Sequence, residues 1–344
     1  MPKRSAFASI FLTTTILSVA CPAMSAEVTA DRLTNADREP QNWLMNHRTY
    51  DAQRYSPLDR VNKGNVKNLK LAYAVALGGA SANMNLESTP LAEDGYLYVV
   101  DQWGVLYKID GRSGDVGRIL WRMGPGQEKL PLANRGAALW GNFVITVANY
   151  PPRVIATDKE TGKLAWESNL SDGQADLQLT AAPLAVKDKI VLGAAGGDHG
   201  VRDFIVALDG ATGKLIWRKY VIPAPGEPGS ETWKDKNNAW QTGGGAMWVT
   251  GSYDVANNQV LWGTGGDGQP SPDVRSLLSP RRQSLHQQPD LLGCRYGQDE
   301  LVPPVRARRH VGLRRGRHPH LDRRPSRWAA AQDGHTFPAK RFSL

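Results

Sequence analysis

The sequence predicts an all-β protein of the propeller type, and three observations carry the prediction. Asp158 and Asp209 each open a D-x-x-T-G-K-L-x-W run that ends on Trp166 and Trp217, the two copies lying 51 residues apart. A looser copy starts at Asp110, 48 residues before Asp158, and closes on Trp121. Short apolar runs such as Tyr96–Val100 and Asn142–Val147 lie between the copies and read as strands. A repeat of roughly 50 residues with room for about four strands is the period of a propeller blade. A non-repeating β-sandwich is the competing fold, and it supplies no reason for a shared multi-residue signature.

Each copy reads as a strand, a tight turn and a second strand. The Asp and Thr side chains bond turn backbone, and the glycine takes a positive φ at no steric cost. The tryptophan closes the second strand as a large apolar anchor.

Composition fits this class and excludes others. With 344 residues, 41% hydrophobic and 22% charged, the chain is neither wholly disordered, a coiled coil nor a polytopic membrane protein. Its 2 cysteines exclude a disulfide scaffold. The net charge of +9 is unevenly spread: residues 274–344 carry 15 Lys+Arg against 5 Asp+Glu, and the rest is balanced at 27 against 28.

Three regions follow. Residues 1–25 read as a cleavable signal peptide, with Lys3 and Arg4 before an apolar stretch, Phe7 to Ala20, too short to span a bilayer. Small residues, Ala23-Met24-Ser25-Ala26, offer the cleavage point, which predicts export to the periplasm and no transmembrane segment. Cleavage leaves Cys294 as a lone cysteine, so no internal disulfide forms. Residues 26–273 hold the propeller repeats, and residues 274–344 form an Arg-rich tail.

Longer motifs sharpen the prediction. Trp43 to Leu71, with Arg54-Tyr55-Ser56-Pro57-Leu58 and Asn65-Val66-Lys67-Asn68-Leu69, resembles the opening of pyrroloquinoline-quinone (PQQ)-dependent alcohol dehydrogenases. The T-G-K turns, Gly193 to Asp209, and Gly243 to Asp254 extend the resemblance from about residue 40 to 273. It implies an incomplete eight-bladed propeller of about five blade-lengths, with tryptophan-docked blades and a cofactor beside a metal ion on the axis. It also implies oxidation of a primary alcohol by hydride transfer to a metal-polarised quinone, with electrons passed to a c-type cytochrome. A homodimer is compatible with the resemblance. The alternative function is a non-catalytic propeller scaffold of the outer-membrane assembly type, which has no need to keep an axial cofactor constellation together.

A quinone bearing acidic groups needs cations for its carboxylates, donors for its carbonyls and a flat apolar surface for its ring. By resemblance, Glu87 in the Asn85–Leu91 run is the cofactor-contacting acid, and Arg135 in Asn134-Arg135-Gly136 meets the quinone. Thr180 donates to a cofactor carboxylate, and Trp248 is the indole on which the cofactor stacks. Ala195, Gly196 and Gly197 form a small-residue loop that lets backbone N–H groups approach the ligand. On composition alone each has a blander role: a solvated acid, a surface arginine, a strand threonine, a blade tryptophan.

Asp198 stands where the family usually has a metal-binding Glu, one methylene longer, and His199 is assigned no role. Calcium or a lanthanide ion is the implied metal, since both are hard and oxygen-ligated. Asp267 is the second candidate ligand, in Gly263–Pro270, where the family reads roughly G-T-G-N-P. Two adjacent family cysteines are replaced by Leu130–Ala133.

From Val274 the repeat signature stops, Lys falls to 1 of 15 basic residues, and 5 of the 7 His lie beyond it. A nucleic-acid-binding arm suits neither an exported enzyme nor this composition, so no nucleic-acid partner is expected; disorder is the simpler prediction. The genetic code offers a third. Reading the last two bases of each codon with the first of the next, Tyr296 to Leu301 permits T-G-K-M-S-W, the blade signature. Val274 to Gln283 likewise permits Y-D-P-S-S-A-R-G-D-N. A frameshift near Asp273 accounts for the tail. In the same frame Arg309 to Arg314 permits D-M-W-D-Y-D, resembling the loop with the family's catalytic Asp. Neither acid exists in this chain, where Gly312 and Arg314 stand, so no catalytic residue is assigned. The incomplete ring is expected to fold poorly and to be inactive as written.

Overall fold

In the computed structural model the described residues are 26–78, 86–129, 131, 133–232, 238–242, 244–264 and 339–343. The signal region, Asp267, Gly312, Arg314 and nearly all of the tail lie outside them. Among the described residues the strands form four antiparallel sheets, each a simple meander. The first sheet holds β1 (Leu91–Glu93), β2 (Tyr96–Val100), β3 (Leu106–Asp110) and β4 (Arg118–Met123). The second holds β5 (Ala138–Trp140), β6 (Phe143–Ala148), β7 (Arg153–Asp158) and β8 (Leu164–Asn169). The third repeats the plan with β9 (Leu184–Val186), β10 (Lys189–Gly193), β11 (Phe204–Asp209) and β12 (Leu215–Tyr220). The fourth pairs β13 (Ser252–Asp254), β14 (Gln259–Gly263) and β15 (Ala339–Ser343).

The sheets were predicted from the repeat, and each strand's place follows from its side chains. In the first three sheets the middle strands are buried almost end to end, as their continuous apolar runs require. The fourth strands alternate toward solvent: Leu164-Ala165-Trp166-Glu167-Ser168-Asn169 keeps only Trp166 and Ser168 partly covered. About five blade-lengths were expected; the described residues form four sheets, and residues 51–78 hold no strand, only a 3-10 turn at Val66–Asn68. The tail was expected to be disordered, yet Ala339–Ser343 runs antiparallel to β14, whose free edge offers unpaired backbone groups.

The repeated turn works as its chemistry predicts. Asp158 Oδ1 accepts from the Thr161 amide and hydroxyl, both at 2.8 Å, and Gly162 takes φ of 70°. Asp209 repeats this with Thr212 at 2.9 and 2.7 Å, and Gly213 takes φ of 72°. In the looser copy Arg112 grips the Asp110 carboxylate at 2.9 and 2.8 Å and holds its pKa well below the usual range. A register shift precedes the turn in all three sheets, at Lys108/Ile109, Ala156/Thr157 and Ala207/Leu208.

The tryptophans explain why turn and anchor travel together. Trp121 lies on Gly162 of the next sheet, where an added Cβ would sit 2.7 Å from the indole. Trp166 lies on Gly213 of the sheet after, where the distance would be 2.4 Å, and donates Nε1–H to the Gly210 carbonyl at 3.1 Å. Trp121 and Trp166 therefore dock on the following sheet's turn, and only glycine leaves room for them.

The N-terminal segment ties all four sheets together. Trp43 pairs with Ala92 in β1, and Asn46 Nδ2 donates to the Arg135 carbonyl just before β5 at 3.2 Å. The Tyr50 hydroxyl donates to Ala185 in β9 at 2.8 Å, and the Tyr50 carbonyl accepts from Tyr253 in β13 at 3.0 Å. Upstream, α1 (Ala30–Thr34) sets Arg32 against Glu39 and Glu93. Lys159 and Glu93, both 0% exposed, join the first two sheets through a 3.0 Å ion pair.

Candidate cofactor site

The segments entering the four innermost strands converge on Arg135. Its Nη2 lies 3.0 Å from Glu87 Oε2, on the segment before β1. Its backbone N–H donates to the Thr180 carbonyl before β9 at 3.2 Å, and Nη1 donates to the same oxygen at 3.4 Å. Nη1 also donates to the Trp248 carbonyl before β13 at 3.3 Å, and the guanidinium lies 4.7 Å above the Trp248 ring. Burial lowers the Arg135 pKa, with Glu87 opposing the shift. The structure thus brings Glu87, Arg135, Thr180 and Trp248 together.

Backbone geometry fixes these positions. Gly136, at φ of 118°, lies so close to Thr89 that an added Cβ would fall 3.1 Å from its carbonyl oxygen. That contact lets the Glu87 and Arg135 segments run side by side, with Thr89 bridging Gly136 in parallel.

The small-residue loop adjoins this cluster. Ala195 exchanges backbone bonds with Gln178 at 2.7 and 2.8 Å, two residues from Thr180. The Ala194 carbonyl accepts from the Met247 amide at 2.8 Å, next to Trp248. Ala195, Gly196 and Gly197 are buried, and a Cβ on either glycine would clash: 2.7 Å from Asp176 O at Gly196, 2.9 Å from Asp203 Oδ2 at Gly197. Protein packing alone therefore demands glycine at Gly196 and Gly197. Asp198 and His199 sit exposed on the 3-10 turn Gly197–His199. Among the described residues no three His, Cys, Asp or Glu side chains group to hold a metal.

Sequence reasoning missed Asp203. It is 0% exposed, and neither carboxylate oxygen has a hydrogen-bond partner. The Gly197 N–H pulls its pKa down but lies outside hydrogen-bonding geometry; burial wins and raises the pKa well above the usual 3.8, with Asp198 and Asp172 adding to the rise. The signal was an acid immediately before the apolar run Phe204–Leu208. The contributions of Asn46 and of His47, which bonds to Thr250, were missed as well.

The donor set suits a flat, acidic quinone. The hydroxyls of Thr180 and Ser88 are buried without partners, the state of donors kept for a ligand. A half-buried cation stands beside an indole that is 38% exposed. For the metal, the described residues supply one exposed carboxylate, Asp198, with the buried Asp203 behind the loop.

Known proteins resemble this arrangement. The quinohemoprotein alcohol dehydrogenase ADH-IIG of Pseudomonas putida is 34% identical over 285 residues, 76% of this chain and 38% of that protein. The quinoprotein alcohol dehydrogenase PedH of Pseudomonas putida is 31% identical over 314 residues, 83% of this chain and 50% of that protein. The solved structure of ADH-IIG superposes with a TM-score of 0.64 at 32% identity, covering 72% of this chain and 38% of that one. A europium-containing methanol dehydrogenase superposes with a TM-score of 0.62 at 30% identity, covering 69% of this chain and 45% of that one. The chain spans half or less of the length of these relatives. Because the profile of the glucose/ethanol/alcohol dehydrogenase β-propeller domain matches residues 43–276, a span that includes all four segments meeting at Arg135, the chain belongs to that PQQ family.

Proposed function

We propose that the chain carries the cofactor-binding part of an exported quinoprotein alcohol dehydrogenase. The observation that supports this most is the convergence of Glu87, Thr180 and Trp248, from segments leading into three sheets, on the Arg135 guanidinium of a fourth, with the Thr180 hydroxyl buried and unpaired. Bound there, PQQ would supply the two-electron acceptor for oxidation of a primary alcohol. Arg135 neutralises acceptor charge, and Glu87 holds the guanidinium in place. Thr180 Oγ1 donates to a carboxylate, and Trp248 supplies the ring face. The guanidinium lies over that indole, so a ring stacked on the same face of Trp248 would require Arg135 to move off it. Ala195, Gly196 and Gly197 let backbone N–H groups approach the ligand closely.

Asp198, and Asp267 beyond the described residues, are proposed as oxygen ligands for calcium or a lanthanide ion. Aspartate is equally hard but shorter than glutamate, which favours a loop drawn toward the metal. A c-type cytochrome would take the electrons, and the periplasm is the proposed location; no described helix is long and apolar enough to cross a membrane. Gly312 and Arg314 stand at the positions of the expected acids, so nothing there accepts the alcohol proton. The chain is therefore proposed to bind PQQ without turnover.

Equilibrium dialysis against PQQ with calcium or lanthanum, followed by ethanol-dependent dye reduction, tests both parts. Retention of PQQ, lost in Arg135→Leu, with no dye reduction is expected. Failure to retain PQQ overturns the binding assignment, and dye reduction overturns the assignment of inactivity.

A further inference from the structure

Arg135 and Trp248, the cation and ring of the site, lie on the segments that lead into β5 and β13, strands of different sheets. The N-terminal segment supplies a link. Asn46 Nδ2 donates to the Arg135 carbonyl at 3.2 Å, and His47 Nε2 bonds the Thr250 carbonyl at 3.0 Å, two residues from Trp248. Arg54 fastens the pair from behind: its Nε donates to His47 Nδ1 at 3.0 Å, and its backbone N–H to the His47 carbonyl at 3.2 Å. The far side of the Trp248 segment is held by the Thr250 hydroxyl, which donates to Ala182, two residues from Thr180, at 2.9 Å.

We propose that Asn46 and His47 are positioning residues of the cofactor site, fixing Arg135 and Trp248 relative to one another from outside the propeller sheets. The inference rests on the cofactor-binding reading above. An Arg Nε always carries its proton, so His47 Nδ1 must accept, and Nε2–H must donate to Thr250. The ring holds both contacts only while neutral, and at 6% exposure water cannot replace either. A proton added at Nδ1 would abolish the Arg54 bond and set two cations face to face.

Burial chiefly disfavours that proton, the Thr250 carbonyl opposes the shift, and Arg54, on the ring's own segment, is the charged group whose field adds to it. The segment packed opposite, Trp248-Val249-Thr250-Gly251, brings a carbonyl and no ionisable side chain. Acidification past the lowered pKa therefore slackens the link, and the sign is a loss of order as pH falls.

Two readouts on the full chain test the inference. The first needs no cofactor: tryptophan emission of the apoprotein is compared for wild type, His47→Leu and His47→Gln. His47→Leu is expected to shift the emission, the shift vanishing in a Trp248→Phe background. His47→Gln, which keeps one donor and one acceptor, is expected to restore it. The second is PQQ affinity, expected to weaken about tenfold in His47→Leu, a loss of about 1.4 kcal/mol, with smaller change in His47→Gln. Wild-type affinity should also fall more steeply than that of His47→Gln as pH drops below the usual imidazole value of 6.5.

If wild type does not take PQQ while the emission shift follows Trp248, the functional reading fails and the positioning role stands. If His47→Leu changes neither emission nor affinity, the positioning role is overturned. Should His47→Leu not fold, His47→Gln and the wild-type pH profile decide, and a flat profile overturns the proposal.

Discussion

Gly114 and Gly213 both lie at positive φ, 79° and 72°, yet their surroundings differ. A Cβ at Gly114 meets nothing within 4 Å, whereas at Gly213 it falls 2.4 Å from the Trp166 ring. Gly114→Ala should therefore carry only the left-handed backbone cost, about 1 kcal/mol. Gly213→Ala adds overpacking of about 1–3 kcal/mol. Urea unfolding of the two variants measures the difference, and equal losses would refute the docking contact. Asp203 gives a second test with a definite sign. Its folded pKa lies above the usual 3.8, so the folded chain holds a proton that the unfolded chain releases, and stability falls as pH rises above about 4. Asp203→Asn should raise the unfolding midpoint at pH 7 and flatten its decline from pH 4; a lowered midpoint at pH 7 would show the carboxylate to be ionised and satisfied.

At the level of strands and turns, Trp166 is the informative residue. It joins two sheets by ring packing and by one hydrogen bond, so Trp166→Ala should cost about 3–5 kcal/mol. Calorimetry would show this as a lower or split transition, and an unchanged one would count against inter-sheet docking. This part of the fold was legible in the sequence because its determinants are local: an Asp-Thr turn, a glycine and a tryptophan repeat within one window. The middle strands were legible too, since strands covered on both faces read as unbroken apolar runs. The segment 42–54 was not legible, because the bonds that tie it to the sheets reach residues 49 to 203 positions away, from Trp43 to Ala92 at the near end to His47 to Thr250 at the far end. The site divides the same way. Glu87, Arg135, Thr180 and Trp248 were picked out by resemblance, but no spacing announced that their segments would meet at one guanidinium. Asp203 went unnoticed because a lone acid at a strand's start looks like any turn residue until its burial is known.

At the level of the whole molecule, the exposed apolar stretch following the N-terminal tie stands out. Tyr55, Leu58, Val61, Val66, Leu69 and Leu71 are between 49 and 83% exposed, a surface of the kind that binds another surface or causes aggregation. The chain is expected to self-associate, and Leu69→Ser with Leu71→Ser should shift it toward the monomer. Light scattering after size exclusion tests this; a monomeric wild type would refute it. The tryptophan docks, for their part, give the molecule a direction. Trp121 belongs to the first sheet but rests on Gly162 of the second, and Trp166 of the second rests on Gly213 of the third. During synthesis, then, a sheet leaves the ribosome before the turn that will cover its anchor exists, and some fifty residues of translation separate the two. The first two sheets each wait on a successor, so a chain halted between Trp166 and Gly213 would hold a finished sheet whose anchoring tryptophan has nowhere to go.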